Sequence, residues 1–348
     1  MEGRLLEVLN LFRPRRRFNY LQIGVTSRCT LSCVMCPRTC FSDQWNSIDM
    51  TLETYLRIAE SFPSARNVYL SGWGEPLLNP HFEEMLRIAK GAGCAVGFTT
   101  NGAHLYGDIV KTLVSLQVDL VSVSIAGASA ASHESKRTGS DFHGIIEKLT
   151  LLESIKKSKG SENPRVILFF MMFKDNLDEL PRAVELAAKV GAEGIVATNL
   201  DYVGHPLQDE LKGFSCGNTL ADQPTEVREA REIAEELGVN FNASSLKVEP
   251  AKNCSEDPLN NLYISESGEV SPCVYLNPPL GQIHRIFCGE KTVIQRLSYG
   301  NINERSLIDI WNGDDYTSFR RKYEVRLKGP ESSPLPMPCR TCYKAYGV

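Results

Sequence analysis

The stretch YLQIGVTSRCTLSCVMC, residues 20–36, joins an apolar run to three cysteines at the spacing C-x3-C-x2-C. The run at residues 20–25 predicts a β-strand, so Cys29, Cys33 and Cys36 belong to the loop that follows it. A structural zinc site normally has four protein ligands, whereas an iron–sulfur cluster held by three cysteines leaves one iron free to bind a small molecule. The spacing therefore predicts an iron–sulfur cluster with an open iron.

The first strand begins a regular alternation of strands and helices. Apolar, β-branched runs occur at residues 20–25, 67–71, 95–99, 119–124, 165–173 and 193–199. Helical periodicity follows each run, at residues 51–62, from Asn79 and Pro80 onward, and at 107–117, 142–158, 177–190 and 224–237. Such alternation predicts an α/β fold with parallel strands, either a barrel or an open doubly wound sheet. Periodicity alone does not choose between the two.

Unusual residues come directly after successive strands of this pattern. GWGEP, residues 72–76, follows the second strand, Asn101 follows the third, and Ser124 ends the fourth. The loops at the carboxyl ends of parallel strands converge on one side of the fold. We therefore expect these residues and the three cysteines to line one pocket.

The alternation stops near residue 245. Beyond it, residues 262–264 and 269–271 predict a short hairpin, and residues 306–323 predict one amphipathic helix. The tail from Gly329 is proline-rich, and a metal bound by Cys339 and Cys342 would order it. Residues 200–220 are rich in turn-forming residues and predict an active-site loop or an exit from the barrel. The predicted domains are an N-terminal extension at 1–17, a barrel domain at 18–245 and a small domain at 246–348.

Composition limits the class of protein. Of 348 residues, 42% are hydrophobic and 23% are charged, with no apolar run long enough for a membrane span and no secretory signal. We expect a cytoplasmic protein that binds no membrane. The net charge of −4 gives no basic surface for nucleic acid, and the cluster Arg13, Arg15, Arg16 and Arg17 is expected to be a solvated terminal segment.

Cysteine usage points to metal binding. Eleven cysteines in a chain without a secretory signal favour thiolate ligands over persistent disulfides. They fall mainly in two groups, one near residue 30 and one in the last hundred residues, which predicts two metal sites. The six histidines show no metal-ligand spacing and are not expected to be ligands or catalytic bases.

The first group and the strand-end motifs resemble the radical S-adenosylmethionine (SAM) superfamily across residues 18–240. The resemblance implies a partial (β/α)6 TIM-type barrel and a [4Fe–4S] cluster on Cys29, Cys33 and Cys36 whose free iron chelates SAM. Trp73 stands where glycine is more usual, and Met35 stands where an aromatic residue usually packs on adenine. The resemblance implies these SAM contacts: Met35, Gly72, Trp73, Gly74, Glu75, Asn101, Ser124 and Arg137.

The second group resembles the auxiliary-cluster modules called SPASM and twitch. It comprises Cys254, Cys273 and the C-x2-C pair Cys339 and Cys342. The resemblance implies a second [4Fe–4S] cluster with four protein ligands, serving electron transfer or structure. A four-thiolate zinc site is the alternative. Cys288 could replace one of the four ligands, whereas Cys40, Cys94 and Cys216 are expected to be plain thiols.

The resemblance also implies an activity. A flavodoxin or ferredoxin would reduce the first cluster, SAM would be cleaved to a 5′-deoxyadenosyl radical, and the radical would abstract hydrogen from the substrate. Residues 268–279 (GEVSPCVYLNPP) and 298–320 resemble maturases associated with tungsten-dependent aldehyde ferredoxin oxidoreductases. This implies maturation of an oxidoreductase or its tungsten–pterin cofactor. The alternatives are modification of ribosomally made peptides, a twitch-type small-molecule dehydrogenase, and a non-enzymatic iron–sulfur or zinc scaffold.

Overall fold

The structure is a computed structural model that describes residues 16–217, 224–329 and 333–348. Most of the predicted N-terminal extension, including Arg13 and Arg15, lies outside them, as do residues 218–220 of the predicted active-site loop and residues 330–332 of the tail.

One mixed sheet organises the described part of the chain. Its nine strands lie in the order β7-β6-β5-β4-β3-β2-β1-β8-β9, and all neighbours are parallel except the antiparallel pair β8 and β9. The order places β7 and β9 at opposite edges, so the barrel is partial, as predicted. The strands are β1 Phe18–Ile23, β2 Ala65–Leu70, β3 Ala95–Thr100, β4 Leu120–Ile125, β5 Arg165–Met172, β6 Gly194–Asn199, β7 Asn240–Ala243, β8 Asn261–Ile264 and β9 Val270–Ser271.

Helices cover the outer face of the sheet and bury apolar side chains such as Tyr55, Ile58, Phe82 and Met85. Thr51 caps the second helix, since its side chain accepts a hydrogen bond from the Thr54 backbone N–H. No helix in the described residues is long and apolar enough to cross a membrane. The helices are α1 Pro37–Cys40, α2 Leu52–Ala59, α3 Phe82–Gly91, α4 Asp108–Ser115, α5 Ala130–Lys136, α6 Phe142–Lys159, α7 Leu180–Lys189, α8 Pro206–Leu211, α9 Thr225–Leu237, α10 Leu307–Asn312 and α11 Asp314–Lys328.

The start of α3 differs from the prediction. The pair Asn79 and Pro80 was expected to open the helix, but it begins at Phe82. The Asn79 side chain accepts a hydrogen bond from the His81 backbone N–H at 2.8 Å and donates to Val25 O at 2.7 Å and Met50 O at 3.0 Å. Asn79 therefore fixes the loop after β1 to the loop before α2 instead of capping a helix.

The C-terminal part is joined to the barrel more closely than its sequence suggests. The predicted hairpin is present as β8 and β9, but β8 also pairs with β1 in parallel, with Leu21 opposite Leu262. The sheet thus continues beyond residue 245, and the predicted domain boundary there stays a prediction. A further hairpin, β10 Gln282–Phe287 and β11 Glu290–Gln295, was not predicted.

The prediction of a single helix at residues 306–323 is wrong. Two helices, α10 and α11, are separated at Gly313, whose ψ of 149° is incompatible with a continuous helix. The buried residues of α10 are Leu307, Ile310 and Trp311, and those of α11 include Phe319. The apolar periodicity is correct, but it does not reveal a break at one glycine.

A disulfide joins Cys216 to Cys288 across 72 residues. This corrects two expectations, because Cys216 is not a plain thiol and Cys288 is not available as a ligand for the C-terminal metal site. The turn between β10 and β11 lies beside the segment after α8, and no feature of the sequence indicates that contact. Cys40 and Cys94 are free thiols, as expected.

Candidate active site

The predicted residues meet at one cavity on the carboxyl side of the sheet. The loops after β1, β2 and β3, the end of β4 and the end of α5 all contribute to its wall. Every residue predicted from the radical SAM resemblance lines this cavity: Cys29, Cys33, Met35, Cys36, Gly72, Trp73, Gly74, Glu75, Asn101, Ser124 and Arg137.

The cysteine loop is held by main-chain hydrogen bonds and by an apolar shell. Ser32 N and Val34 N donate to the carbonyl oxygens of Thr138 and Lys136 at the end of α5, each at 2.9 Å. The apolar neighbours that exclude water from the loop are Leu31, Met35, Ala126, Phe173 and Leu200. Desolvation raises the pKa of Cys29, and together with the neighbouring Cys33 it raises the pKa of Cys36 to about 12. A bound cation is needed to hold these thiols as thiolates in such a site.

Gln208 is a positioning residue that the sequence did not reveal. Its side chain is completely buried, and its amide donates to Met35 O at 2.7 Å. Its amide oxygen accepts from the N–H groups of Gly204 and His205, at 2.7 and 2.9 Å. Gln208 therefore links the start of α8 to the cysteine loop. The predicted active-site loop at residues 200–220 thus contains a short helix that supports the site.

Glu75 organises the site from within. Its Oε1 accepts hydrogen bonds from Thr100 Oγ1 at 2.7 Å and Leu77 N at 3.3 Å, and its Oε2 accepts from Asn101 N at 2.7 Å. Burial raises the pKa of Glu75 to about 7, while these bonds oppose the rise. The carboxylate ties the loop after β2 to the loop after β3. The Asn101 amide in turn donates to Cys29 Sγ at 3.5 Å.

The glycines of this motif are required by the neighbouring main chain. A Cβ at Gly74 would lie 2.4 Å from Thr26 O and 2.6 Å from Arg28 O, and one at Gly72 would lie 2.8 Å from Gly24 Cα. Glycine at these two positions therefore leaves room for the loop after β1, which carries the cysteines.

Gly74→Ala is therefore expected to destabilise the protein. The clash is with carbonyl oxygens that cannot move without displacing the cysteine loop, and overpacking of this kind costs about 1–3 kcal/mol. Gly91→Ala is the matched control, because a Cβ at this last residue of α3 would have no other atom within 4 Å. We expect that control to gain about 0.4–1 kcal/mol. Thermal unfolding of the two variants checks this, and equal midpoints would contradict it.

Arg137 is the charged group with an unmet hydrogen bond in the cavity wall. The residue is 9% exposed, and its Nε is buried with no hydrogen-bond partner in the described part of the chain. Its charge also acts on Glu75, whose pKa it lowers against the larger effect of burial. A buried guanidinium with an unpaired donor suits a ligand carboxylate, such as that of SAM.

The contacts of Trp73 explain why a tryptophan stands at a position where glycine is more usual. Its Nε1–H donates to Val274 O at 3.2 Å, next to Cys273 in the C-terminal part. Its ring meets Tyr202 and Tyr275 edge-on, with centroids 5.3 and 6.1 Å apart. Trp73 therefore joins the wall of the first cavity to the segment that carries a predicted auxiliary ligand.

The four C-terminal cysteines line a second cavity, together with Glu256, Arg285 and Lys344. Burial raises the pKa of Cys254 and Cys273, and that of Cys339 to about 12. The four thiols come from separate segments before β8, after β9 and in the tail. The cysteines are Cys254, Cys273, Cys339 and Cys342.

The donor sets of both cavities suit clusters. Three cysteines line the first cavity and four line the second. Three thiolates suit an iron–sulfur cluster with one open iron, whereas four suit a fully ligated cluster or a zinc ion.

Asp201, Tyr202 and Tyr275 also line the first cavity. The first two belong to the predicted active-site loop at residues 200–220, but none of the three is among the predicted site residues. Asp201 Oδ2 accepts a hydrogen bond from Tyr275 at 3.0 Å and pairs with Lys344 at 2.9 Å. Lys344 lies two residues after Cys342, so these contacts connect the two cavities. Asp201 and Tyr202 follow β6, and the rule that strand-end loops converge could have found them.

Comparison with known proteins gives two family matches. The Radical SAM superfamily model matches residues 23–187, and the SPASM model, described as an iron–sulfur cluster-binding domain, matches residues 254–343.

Similar proteins extend over most of the chain. A tungsten-containing aldehyde ferredoxin oxidoreductase cofactor-modifying protein of Pyrococcus furiosus is 30% identical over 86% of this chain and 83% of its own length. An AdoMet-dependent heme synthase of Methanosarcina barkeri is 26% identical over 87% and 85%. The crystal structure of Streptococcus suis SuiB bound to S-adenosylmethionine has a TM-score of 0.61 at 12% identity, over 99% of this chain and 75% of that one.

Proposed function

Since this chain belongs to the radical SAM superfamily and carries a SPASM domain, we propose that it cleaves SAM reductively and abstracts hydrogen from an oxidoreductase or its tungsten–pterin cofactor. The chain is an enzyme whose family uses SAM and [4Fe–4S] clusters, one that binds SAM and one that is auxiliary.

The radical-generating cluster is assigned to Cys29, Cys33 and Cys36. The observation that carries this assignment is the convergence of all eleven predicted residues on one cavity. When bound, the cluster supplies the electron that cleaves the sulfur–carbon bond of SAM. The chain supplies the rest of the site. Asn101 donates toward Cys29, Glu75 holds two strand-end loops together, and the apolar shell around the cysteine loop excludes water that would quench a radical.

SAM is assigned to the same cavity. Arg137 offers its unpaired Nε to the methionyl carboxylate, and Ser124 offers a hydroxyl at the end of β4. Met35 supplies a polarizable thioether to the adenine. The auxiliary cluster is assigned to Cys254, Cys273, Cys339 and Cys342, which together can supply all four ligands. A flavodoxin or ferredoxin is the proposed donor, and the cytoplasmic location stays a prediction.

The substrate is proposed from the relatives. The name of the Pyrococcus furiosus protein states that it modifies an oxidoreductase cofactor, and that of the Methanosarcina barkeri protein states that it makes heme. The 30% identity to the Pyrococcus furiosus protein favours a cofactor or its oxidoreductase, whereas relatives at 21–25% identity are named PqqA peptide cyclases and support the peptide alternative. Modification of a ribosomally made peptide and a small-molecule dehydrogenation remain the alternatives.

The test is anaerobic turnover of the reconstituted protein. With dithionite and SAM, we expect 5′-deoxyadenosine in chromatography, and we expect its rate to rise when a tungsten-dependent oxidoreductase or its released cofactor is added. Absence of 5′-deoxyadenosine above the dithionite background would favour the non-enzymatic scaffold. A rise only with a ribosomal precursor peptide would favour peptide modification.

Arg137→Leu is expected to weaken SAM binding about 10- to 100-fold. Hydrogen bonds to a charged group contribute about 1.5–3 kcal/mol, and each 1.4 kcal/mol corresponds to about tenfold. Equilibrium dialysis with SAM measures the change. Arg182→Leu is the control, because that side chain is 57% exposed and lies outside the cavity wall. Equal SAM affinity in both variants would remove Arg137 from the SAM site.

A further inference from the structure

Arg285 is a buried arginine in the wall of the cavity that the four C-terminal cysteines line, and its side chain is 4% exposed. Its Nη1 donates a hydrogen bond to Pro338 O at 2.5 Å, and its Nη2 donates to Tyr275 O at 3.3 Å. Pro338 directly precedes Cys339, and Tyr275 lies two residues after Cys273. The guanidinium therefore holds together two of the segments that carry the auxiliary ligands.

The charge of Arg285 has no carboxylate partner. Both of its hydrogen bonds go to main-chain oxygens, and no Asp or Glu in the described part of the chain forms an ion pair with it. The other cation at this cavity, Lys344, is compensated, because it pairs with Asp201 Oδ2 at 2.9 Å and is also attracted by Glu256. The two nearby carboxyl groups therefore belong to Lys344, and Arg285 remains a buried cation without a counter-charge among the described residues.

A cluster held by four thiolates is the counter-charge that suits this position. A buried charge is costly unless an opposite charge lies close to it, and a thiolate-ligated cluster is anionic. Reduction adds one further negative charge to the cluster, so a nearby cation stabilises the reduced form more than the oxidised form. Two of the five guanidinium N–H groups of Arg285 are used by the main chain, which leaves three for sulfur atoms. Hydrogen bonds to sulfur and positive charge both raise the reduction potential.

Arg326 on α11 makes similar bonds outside the cavity and so provides a comparison. It is 3% exposed, its Nε donates to Ala251 O at 3.0 Å, and its Nη1 donates to Ser333 O. It thus joins the segment before Cys254 to the tail, but it does not line the auxiliary cavity. Both arginines fix segments that carry ligands, and Arg285 differs from Arg326 by adding its charge to the cavity wall.

We propose that Arg285 is a positioning residue that raises the reduction potential of the auxiliary cluster, which favours electron transfer over a purely structural role at this site. The inference rests on the proposed function, because it requires the auxiliary cluster that is assigned there. Arg285 holds the ligand-bearing segments in place, and its charge faces the negative charge that reduction adds. The sequence did not reveal this residue, because it lies on β10, a strand that was not predicted.

The test is a redox titration of the reconstituted enzyme, monitored by electron paramagnetic resonance in the absence of SAM and substrate. Dithionite supplies one electron to each cluster and is oxidised to sulfite, and no bond of the protein forms or breaks. The midpoint that persists in Cys36→Ala identifies the auxiliary cluster. We expect Arg285→Gln and Arg285→Met to shift its reduction equilibrium at least about tenfold toward the oxidised form, which lowers the midpoint by about 59 mV or more. The midpoint of the radical-generating cluster should match wild type.

Two further variants separate charge from packing. Arg285→Lys keeps the charge, so its auxiliary midpoint should lie closer to wild type than that of either neutral variant. Arg326→Met is the matched control, and it should keep the wild-type midpoint although the tail becomes more sensitive to proteolysis. An unchanged midpoint in the neutral Arg285 variants, an equal shift in Arg326→Met, or no recovery in Arg285→Lys would overturn the inference. Loss of the auxiliary iron in both neutral variants would also overturn it, since Arg285 would then only hold the ligands.

The outcome is separable from that of the proposed function, because the titration needs neither SAM nor substrate. If the second site holds zinc, it has no midpoint, so the inference about Arg285 is wrong while the assignment of SAM cleavage to the first site stands. If the wild-type enzyme does not cleave SAM, the proposed function fails even when the auxiliary midpoint shifts as expected.

Discussion

Alanine in place of Cys29, Cys33 or Cys36 is expected to lower the rate of 5′-deoxyadenosine formation by more than about 100-fold. Loss of a group that only supports a metal ligand already costs about 10- to 100-fold in metal affinity or activity, and loss of the ligand itself should cost more. With two thiolates, the radical-generating cluster has too few protein ligands to be held in its apolar pocket. Chromatography of anaerobic, dithionite-reduced reactions measures the rate. We expect iron to fall by about four atoms per chain, corresponding to one [4Fe–4S] cluster.

Cys94→Ala is the matched control for this prediction. Cys94 is a buried free thiol whose sulfur lies 3.5 Å from Phe62 O, outside both cysteine-lined cavities. Its removal should leave iron content and SAM cleavage at the wild-type level. Wild-type cleavage in a Cys29, Cys33 or Cys36 variant would refute the assignment of the open iron to this loop.

Cys339→Ala is expected to remove the auxiliary cluster and leave SAM cleavage in place. Iron and sulfide should each fall from about eight to about four per chain, since each [4Fe–4S] cluster holds four of each. The change leaves Arg285 and Lys344 beside a cavity that has lost the thiolate cluster, and the tail loses the ligand that orders it. Limited proteolysis should then cut the segment after α11 faster than in wild type.

Metal analysis of the wild-type protein separates the cluster from zinc at this second site. About four irons with one zinc per chain would support the zinc alternative, and about eight irons without zinc would support two clusters. Cys40→Ser is the control for Cys339→Ala, because Cys40 is a free thiol that lines neither cavity. Loss of SAM cleavage in Cys339→Ala with intact first-cluster iron would show that the second site takes part in radical formation.

Local sequence patterns predicted much of the barrel. All six predicted strands are present within about two residues of their expected bounds, because apolar periodicity reports the burial of each strand directly. The strand-end rule brought Cys29, Glu75, Asn101 and Ser124 together for a similar reason, since parallel strands all end on one side. The segment after β6 was predicted as an active-site loop, but Asp201 was not singled out within it.

Contacts between distant segments account for most of the structural features that the sequence did not predict. The pairing of β8 with β1, the bond from Trp73 to Val274 and the disulfide from Cys216 to Cys288 each join residues far apart in the chain. The hydrophobic pattern of each segment says that it is buried, but it does not say against which partner. Two other predictions of helix bounds failed at single residues. One dihedral angle separates α10 from α11, and one side-chain hydrogen bond accompanies the late start of α3.

The sequence by itself determined which residue types could bind a cluster and how strands and helices alternate along the chain, because cysteine spacing and hydrophobic periodicity are local properties of the chain. Only the tertiary structure decided how that chemistry is arranged. It uses the carboxylate of Glu75 to hold two loops together, and it leaves Arg137 Nε unpaired in the cavity wall. Hydrogen-bond partners depend on proximity in space, and the pattern of residues along the chain does not give that proximity.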